Sequence, residues 1–272
     1  MNIGIINVLE NKGRCFEPVK NFGLDCCQLV SWDISQCSDE IARSAREDAA
    51  RCGARISAFW AGVPGPAEWN FERGPATLGI VPQQFRAERV AALKRWTRFA
   101  RALGAPAIVT HAGFLPENAT NAEFEPVVAA LREVAECCKI HGIEFWFETG
   151  QETPVALLRH IQAIGADNVG VNLDPANLLM YGKGNPVDAL QVLGGYVRCV
   201  HAKDGLQPVD PMQLGCETPI GGGSVNFPLF FRELKRMGYD GDIIIEREIS
   251  GEQQQRDISE SIAKLSQWWS EA

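Results

Sequence analysis

Ile143-Glu-Phe-Trp-Phe-Glu148, Val169-Gly-Val-Asn-Leu-Asp174, Tyr196-Val-Arg-Cys-Val-His201 and Asp242-Ile-Ile-Ile-Glu246 are four short, mostly apolar runs. Each stops on a side chain that can bind a metal. Apolar runs this short, rich in branched and aromatic residues and separated by helical patterns, read as buried parallel strands. In a barrel of alternating strands and helices, the carboxyl ends of the strands converge on one mouth, where the active site sits. Glu148, Asp174, His201 and Glu246 would therefore meet there as a small cation cage.

The same alternation extends in both directions. Strands are expected near 2–7, 25–31, 55–60, 106–111, 143–148, 168–173, 196–201 and 242–246. Helices are expected over 36–52, 82–103, 123–141, 153–164, 186–193, 226–237 and 253–270. Gly53, Gly104 and Gly142 follow the first three as stops. Eight such units predict a (β/α)8 TIM barrel, a single domain over residues 1–272. The competing doubly wound sheet wants a Gly-x-Gly-x-x-Gly turn after its first strand, and Asn7-Val-Leu-Glu-Asn-Lys-Gly13 does not supply one. Gly221-Gly-Gly223 and Gly182-Lys-Gly184 read as flexible loop.

Two long loops interrupt the pattern. One runs from Ala61 to Val81 and is rich in Gly, Pro and aromatic residues. The other runs from Lys203 to Val225. Positions 148, 174 and 201 are 26 and 27 residues apart, whereas 201 and 246 are 45 apart, so the second loop is an insertion on the active-site face. Both read as lids that exclude water.

Composition narrows the partners. The chain carries a formal charge of −8, which opposes a surface that tracks nucleic-acid phosphates. It holds no run near the ~20 apolar residues of a membrane span. Met1-Asn-Ile-Gly-Ile-Ile reads as the first strand rather than a secretory signal, so a cytoplasmic location is expected. Nine cysteines, including the adjacent pairs Cys26-Cys27 and Cys137-Cys138, read as small core residues, with Cys199 the one nearest the mouth. Homo-oligomerisation is compatible with the sequence.

Three oxygen donors and one nitrogen suit one divalent ion, Mn²⁺ or Mg²⁺ first and Co²⁺ or Zn²⁺ as alternatives. Such an ion polarises a carbonyl and stabilises the enediolate formed when a neighbouring proton is removed. Glu148 and Glu246, three strands apart around the ring, can face a substrate from opposite sides as an acid/base pair. Asp174, ahead of Pro175, can equally cap the helix that follows. His111, Asn177, Lys203, Arg247 and Trp60 are candidate substrate-binding residues; Trp69 and Phe114 are further aromatics near the mouth. His141 and His160, near helix ends, are expected on the surface.

Val200-His201-Ala-Lys203-Asp204, Ile244-Ile-Glu246-Arg-Glu248, Phe147-Glu148-Thr-Gly and Asn172-Leu-Asp174-Pro-Ala-Asn177 resemble motifs of the xylose isomerase-like TIM barrels, more narrowly the sugar phosphate isomerase/epimerase branch. The resemblance runs essentially the full length. It implies that Glu148, Asp174, His201 and Glu246 are divalent-metal ligands and that the two glutamates transfer protons. Ketose 3-epimerases of that group carry a histidine where this chain has Asn177 and an arginine where it has Gln207. Both positions bind substrate in those enzymes, so the departures count against free ketohexoses. The implied activity is a metal-dependent isomerase or epimerase of a small sugar or polyol. A lyase on the same scaffold, dehydrating a keto-inositol or cleaving a keto-glycoside, is the alternative.

Overall fold

A computed structural model of the chain describes residues 1–10 and 13–272. Asn11 and Lys12, in the first strand–helix loop considered above, lie outside the described residues. Eight parallel strands close into a barrel: β1 (Asn2–Val8), β2 (Cys26–Ser31), β3 (Arg55–Ala61), β4 (Ala107–Thr110), β5 (Glu144–Glu148), β6 (Val169–Leu173), β7 (Val197–Ala202) and β10 (Asp242–Ile245). β1 pairs with β2 on one side and with β10 on the other, which removes every sheet edge. The two remaining strands, β8 (Asp204–Gly205) and β9 (Glu217–Thr218), form a small antiparallel ladder inside the insertion after β7.

The helices start and stop where the sequence carries the chemistry for it. α2 (Asp39–Cys52) opens on Ser38, whose Oγ accepts from the Ile41 amide, and ends on Gly53 at φ 69°. α4 (Gln83–Leu103) is followed by Gly104 and α5 (Phe124–Ile140) by His141 and Gly142. α6 (Pro154–Ile164), α7 (Pro175–Met180), α8 (Pro186–Leu193) and α9 (Phe227–Arg236) each take a proline in the first turn behind a Thr, Asp or Asn cap. α10 (Glu252–Glu271) closes the chain. α1 (Glu17–Asn21) and α3 (Gly74–Thr77) are short turns beyond the expected set, and α7 is the helix that Asp174 was expected to be able to cap.

Two apolar cores result. The larger lies between the strands and the surrounding helices; α9, for example, buries Phe227, Phe230, Phe231 and Leu234 at helical spacing. The smaller fills the barrel itself with Cys26, Val30, Ala58, Val109, Trp146 and Ile244, among others. Trp146 fits because its neighbour is Gly170, where a Cβ would stand 2.6 Å from the indole. All nine cysteines are free, and burial pushes the Cys26 and Cys138 thiols up to about 12. Cys15, Cys26, Cys27, Cys137, Cys138 and Cys199 are the buried core residues expected, whereas Cys37 and Cys52 are half-buried and Cys216, on the insertion after β7, is exposed.

Polar residues also enter the barrel, and they cluster. Register irregularities fall beside Gln28 and Asn172, the extra residues being Ser57 on β3 and Arg198 on β7. The buried Gln28 and Asn172 side chains meet inside, Gln28 Nε2 donating to Asn172 Oδ1 at 3.1 Å. Bulges of this kind re-aim side chains next to functional sites.

The long loops are pinned rather than free. Arg89 on α4 is fully buried and donates to the carbonyls of Pro64, Pro66, Thr77 and Gly79, all in the 61–81 loop. Asp204 does the converse for the glycine run. Its carboxylate accepts from the amides of Gly205, Gly221, Gly223 and Val225. The expected flexible Gly221–Gly223 stretch is thus a turn wrapped on a buried carboxylate, and Gly223 is where a Cβ would collide with Asp204 Oδ1, at 2.2 Å.

Candidate metal centre

The four strand-end residues converge. One ligand atom from each of Glu148, Asp174, His201 and Glu246 lies within 4.8 Å of every other. Glu148 ends β5, Asp174 and Glu246 immediately follow β6 and β10, and His201 lies one residue inside the end of β7. His201 Nδ1 stands 3.1 Å from Glu148 Oε1, 2.9 Å from Glu246 Oε2 and 4.0 Å from Asp174 Oδ2. Asp174 divides its work, since Oδ1 caps α7 by accepting from the Asn177 amide at 2.8 Å. Its Oδ2 has no hydrogen-bond partner, and Glu246 Oε2 has none beyond the His201 ring nitrogen.

Buried acceptors without donors are rare and call for an explanation. Here they point at a common centre, together with a ring nitrogen, and three carboxylates face it. That donor set fits a divalent cation. His201 is prepared for it: Nε2 lies 2.8 Å from Gln28 Oε1, so a proton on Nε2 leaves the Nδ1 lone pair facing the carboxylates. Gln28, in the middle of a strand, carries no motif and was not among the expected site residues.

The electrostatics show how tightly the cluster is coupled. Burial raises Asp174 well above the carboxylate range, partly offset by Lys203. Burial also opposes charge on Glu148 and Glu246, but His111 and His201 hold the first below its ordinary value, and Lys203 and His201 hold the second below its own. Burial works against an imidazolium at His201, yet Glu148 and Glu246 raise it well above its ordinary value. A cation taking Nδ1 would displace that proton.

The other expected residues sort by position. Trp60 Nε1 donates to Glu148 Oε2, and His111 Nε2 stands 3.5 Å from the same oxygen. Burial keeps the His111 pKa below its ordinary value. Asn177 Nδ2 reaches Glu148 Oε1 at 3.4 Å and its Oδ1 accepts from Lys203 Nζ at 3.3 Å. Lys203 is 2 % exposed and lies 2.8 Å from Glu248, 3.7 Å from Glu246 and 3.8 Å from Asp174. Arg247 lines the cavity, but its guanidinium is held by Glu217 and Asp257, each at 2.7 Å. Glu217 comes from β9, so the insertion is clamped to the chain just after Glu246. Trp69 lines the cavity too, whereas Phe114 packs against Tyr181 at its side. Gln207 is exposed on the insertion.

One expectation is corrected. His160 is fully buried rather than on the surface. It lies on the inner face of α6 with Leu157, Ile161 and Ile164, its ring 4.5 Å from Phe124 and its Nδ1 2.9 Å from the Ala156 carbonyl. His141, half-buried at the end of α5, similarly sits 2.8 Å from the Cys137 carbonyl.

Residues 16–269 match the family described as "Xylose isomerase-like TIM barrel", and the chain belongs to that family. A xylose isomerase domain protein from Planctomyces limnophilus has a similar structure, with a TM-score of 0.92 and 30 % identity over 98 % of this chain and 96 % of that one. A human protein named "Putative hydroxypyruvate isomerase" is 27 % identical over 262 residues, 88 % of this chain and 83 % of the human one. The chain spans about half the length of two further relatives. "Uncharacterized protein MJ1311" of Methanocaldococcus jannaschii is 31 % identical over 53 % of this chain and 51 % of its own length. Inosose dehydratase of Mesomycoplasma hyopneumoniae is 27 % identical over 47 % and 48 %. No helix among the described residues is long and apolar enough to cross a membrane.

Proposed function

We propose that the protein is a divalent-metal-dependent isomerase or epimerase of a small sugar or polyol derivative, with Glu148 and Glu246 as its proton-transfer pair. One observation carries this reading. The two carboxylates come from strands three places apart around the ring and flank the same nitrogen of His201, at 3.1 and 2.9 Å.

Mn²⁺ or Mg²⁺ at Glu148, Asp174, His201 and Glu246 would polarise a substrate carbonyl and stabilise the negative charge of an enediolate. The side chains then have separate tasks. Glu148 is held by Trp60 and Asn177, which fixes the direction of its Oε atoms. From there it can take a proton next to the carbonyl, while Glu246 serves the opposite face. His111, with Nδ1 unpartnered, can meet a substrate hydroxyl. Lys203, buried against Glu246 and Glu248, balances charge. Arg247 braces the insertion rather than the substrate.

The lyase reading draws on the inosose dehydratase relative. The same proton removal beside a leaving hydroxyl or glycosyl oxygen gives elimination. Proton NMR in D₂O separates the two. The Mg²⁺-loaded protein is incubated with hydroxypyruvate, ketohexoses and a keto-inositol. Deuterium entering beside the carbonyl without loss of a group supports isomerisation; an unsaturated product supports the lyase. No exchange at all, with Glu148→Gln behaving like the parent, removes both.

A further inference from the structure

The cavity over the metal centre has two ends of different character. Its inner end presents Glu148, Glu246, His111 and Asn177. Its exposed rim carries the large apolar residues Val8, Trp32 and Trp69, with Glu248 and Gln254 also in the lining. The volume is about 520 Å³, within the ~300–1,000 Å³ that hold drug-sized ligands. That is far more than one sugar ring fills.

The outer end is exposed where exposure is costly. Trp32 is 51 % accessible, Val8 60 % and Trp69 39 %. Large apolar groups gathered at a concave rim mark a binding surface. The aromatic rings also form a continuous path inward. Trp32 and Trp60 are 4.3 Å apart, Trp32 and Trp69 5.9 Å, and Trp69 and His111 5.1 Å. Trp60 is the residue that donates to Glu148.

Charge excludes the other obvious occupant of a large sugar site, a phosphate. Among the described residues Arg247 is the only Lys or Arg lining the cavity, and Glu217 and Asp257 already hold it. Lys203 sits beneath, shared by Glu248, Glu246 and Asp174. Three carboxylates (Asp174, Glu246 and Glu248) face that one lysine and Glu148 adds a fourth to the cluster, so with a dication in place of the His201 proton the site stays net negative. The first turn of α7, which could otherwise receive an anion, is capped by Asp174 itself.

We infer that the site takes an unphosphorylated keto-glycoside, its carbonyl-bearing sugar ring at the carboxylate cluster and an apolar, preferably aromatic, substituent lying along Trp32 and Trp69; simple glycosides bind there as unreactive analogues. This rests on the proposal that a sugar binds at the cluster, and it fixes what the other half of the cavity is for. Aromatic substituents gain from offset or edge contacts with such rings beyond simple burial.

Titration calorimetry on Mn²⁺-loaded protein tests it. The probes are matched methyl and 4-nitrophenyl glycosides of glucose, galactose, mannose and xylose, together with glucose and glucose 6-phosphate. At least one nitrophenyl glycoside binds tenfold or more tightly than its methyl partner. Trp32→Ala, checked for an unchanged fold by its Tm, brings that ratio close to one. Glucose 6-phosphate binds no better than glucose. The inference is overturned if no pair shows the preference, if the preference survives in both Trp32→Ala and Trp69→Ala, or if the phosphate tightens binding. A separate Mn²⁺ titration keeps the two ideas apart. Loss of Mn²⁺ binding removes the metal reading, whereas Mn²⁺ and methyl glycoside binding with no aromatic gain removes only this one.

Discussion

Gln28 Oε1 and His201 Nε2 are 2.8 Å apart, on the far side of the imidazole from the carboxylate cluster. Gln28 is itself fixed, because its amide nitrogen donates to Asn172. Partners of this kind orient a metal-binding histidine, and losing one typically weakens the metal by ~10–100-fold. Gln28→Leu is expected to lower Mn²⁺ affinity by that amount in calorimetry. Gln28→Glu, which keeps the acceptor, is expected to retain most of it. Equal affinity in Gln28→Leu and the parent would show that the ring needs no such support.

Chelation should be visible in stability as well as in turnover. Three buried carboxylates face one another across the cluster, and a bound dication stabilises the folded chain by mass action, about 2.7 kcal/mol at a hundredfold excess over Kd. For a chain of this size that corresponds to a Tm about 4–6 °C higher with Mn²⁺ than with EDTA. Asp174→Asn should shrink the gap. An identical Tm in both buffers would contradict the metal assignment.

These four converging positions were legible because each ends a short run whose alternation with helices sets the barrel, and the barrel alone brings strand ends together. Gln28 was not legible. A polar residue inside an apolar strand gains meaning only when the strand opposite, carrying Asn172, is known to face it. His160 misled for a related reason: it is near a helix end, but on the face that α6 turns inward. Arg89 gave no sign of its role, since its partners are backbone carbonyls of a distant loop, and carbonyls leave no mark in a sequence.

Arg89 makes its own prediction. Its buried guanidinium organises the loop that carries Trp69. Arg89→Met leaves four carbonyls without their donor, and a buried polar group left unpaired typically costs ~1–3 kcal/mol. Urea denaturation should show a loss of that order, and proteolysis should cut first between 62 and 81. A variant as stable as the parent would mean that the loop holds itself.

Stability should also fall as pH rises through one buried carboxyl. Burial, only partly offset by its hydrogen bond to the backbone, lifts Glu152 to about 8 from an ordinary 4.5. Below pH 4.5 the group is protonated whether the chain is folded or not, and it imposes no penalty. Between 4.5 and 8 the unfolded chain releases the proton while the folded one keeps it, so folding loses ground, at ~1.4 kcal/mol per pH unit at most. Glu152→Gln removes that slope. Its Tm advantage over the parent should be larger at pH 8 than at pH 5, and a constant difference would refute the assignment.

Asp174 ties two properties together that an engineer would want to set separately. One oxygen starts α7, and the other looks into the cluster. The same short helix supplies Asn177 and Met180, and it leads into Tyr181 on the cavity wall. Lengthening the side chain to suit a larger ion would tilt that wall, and reshaping the wall for a new substrate would drag the ligand. On the metal reading proposed above, ion preference and substrate preference would be inherited as one trait in this chain.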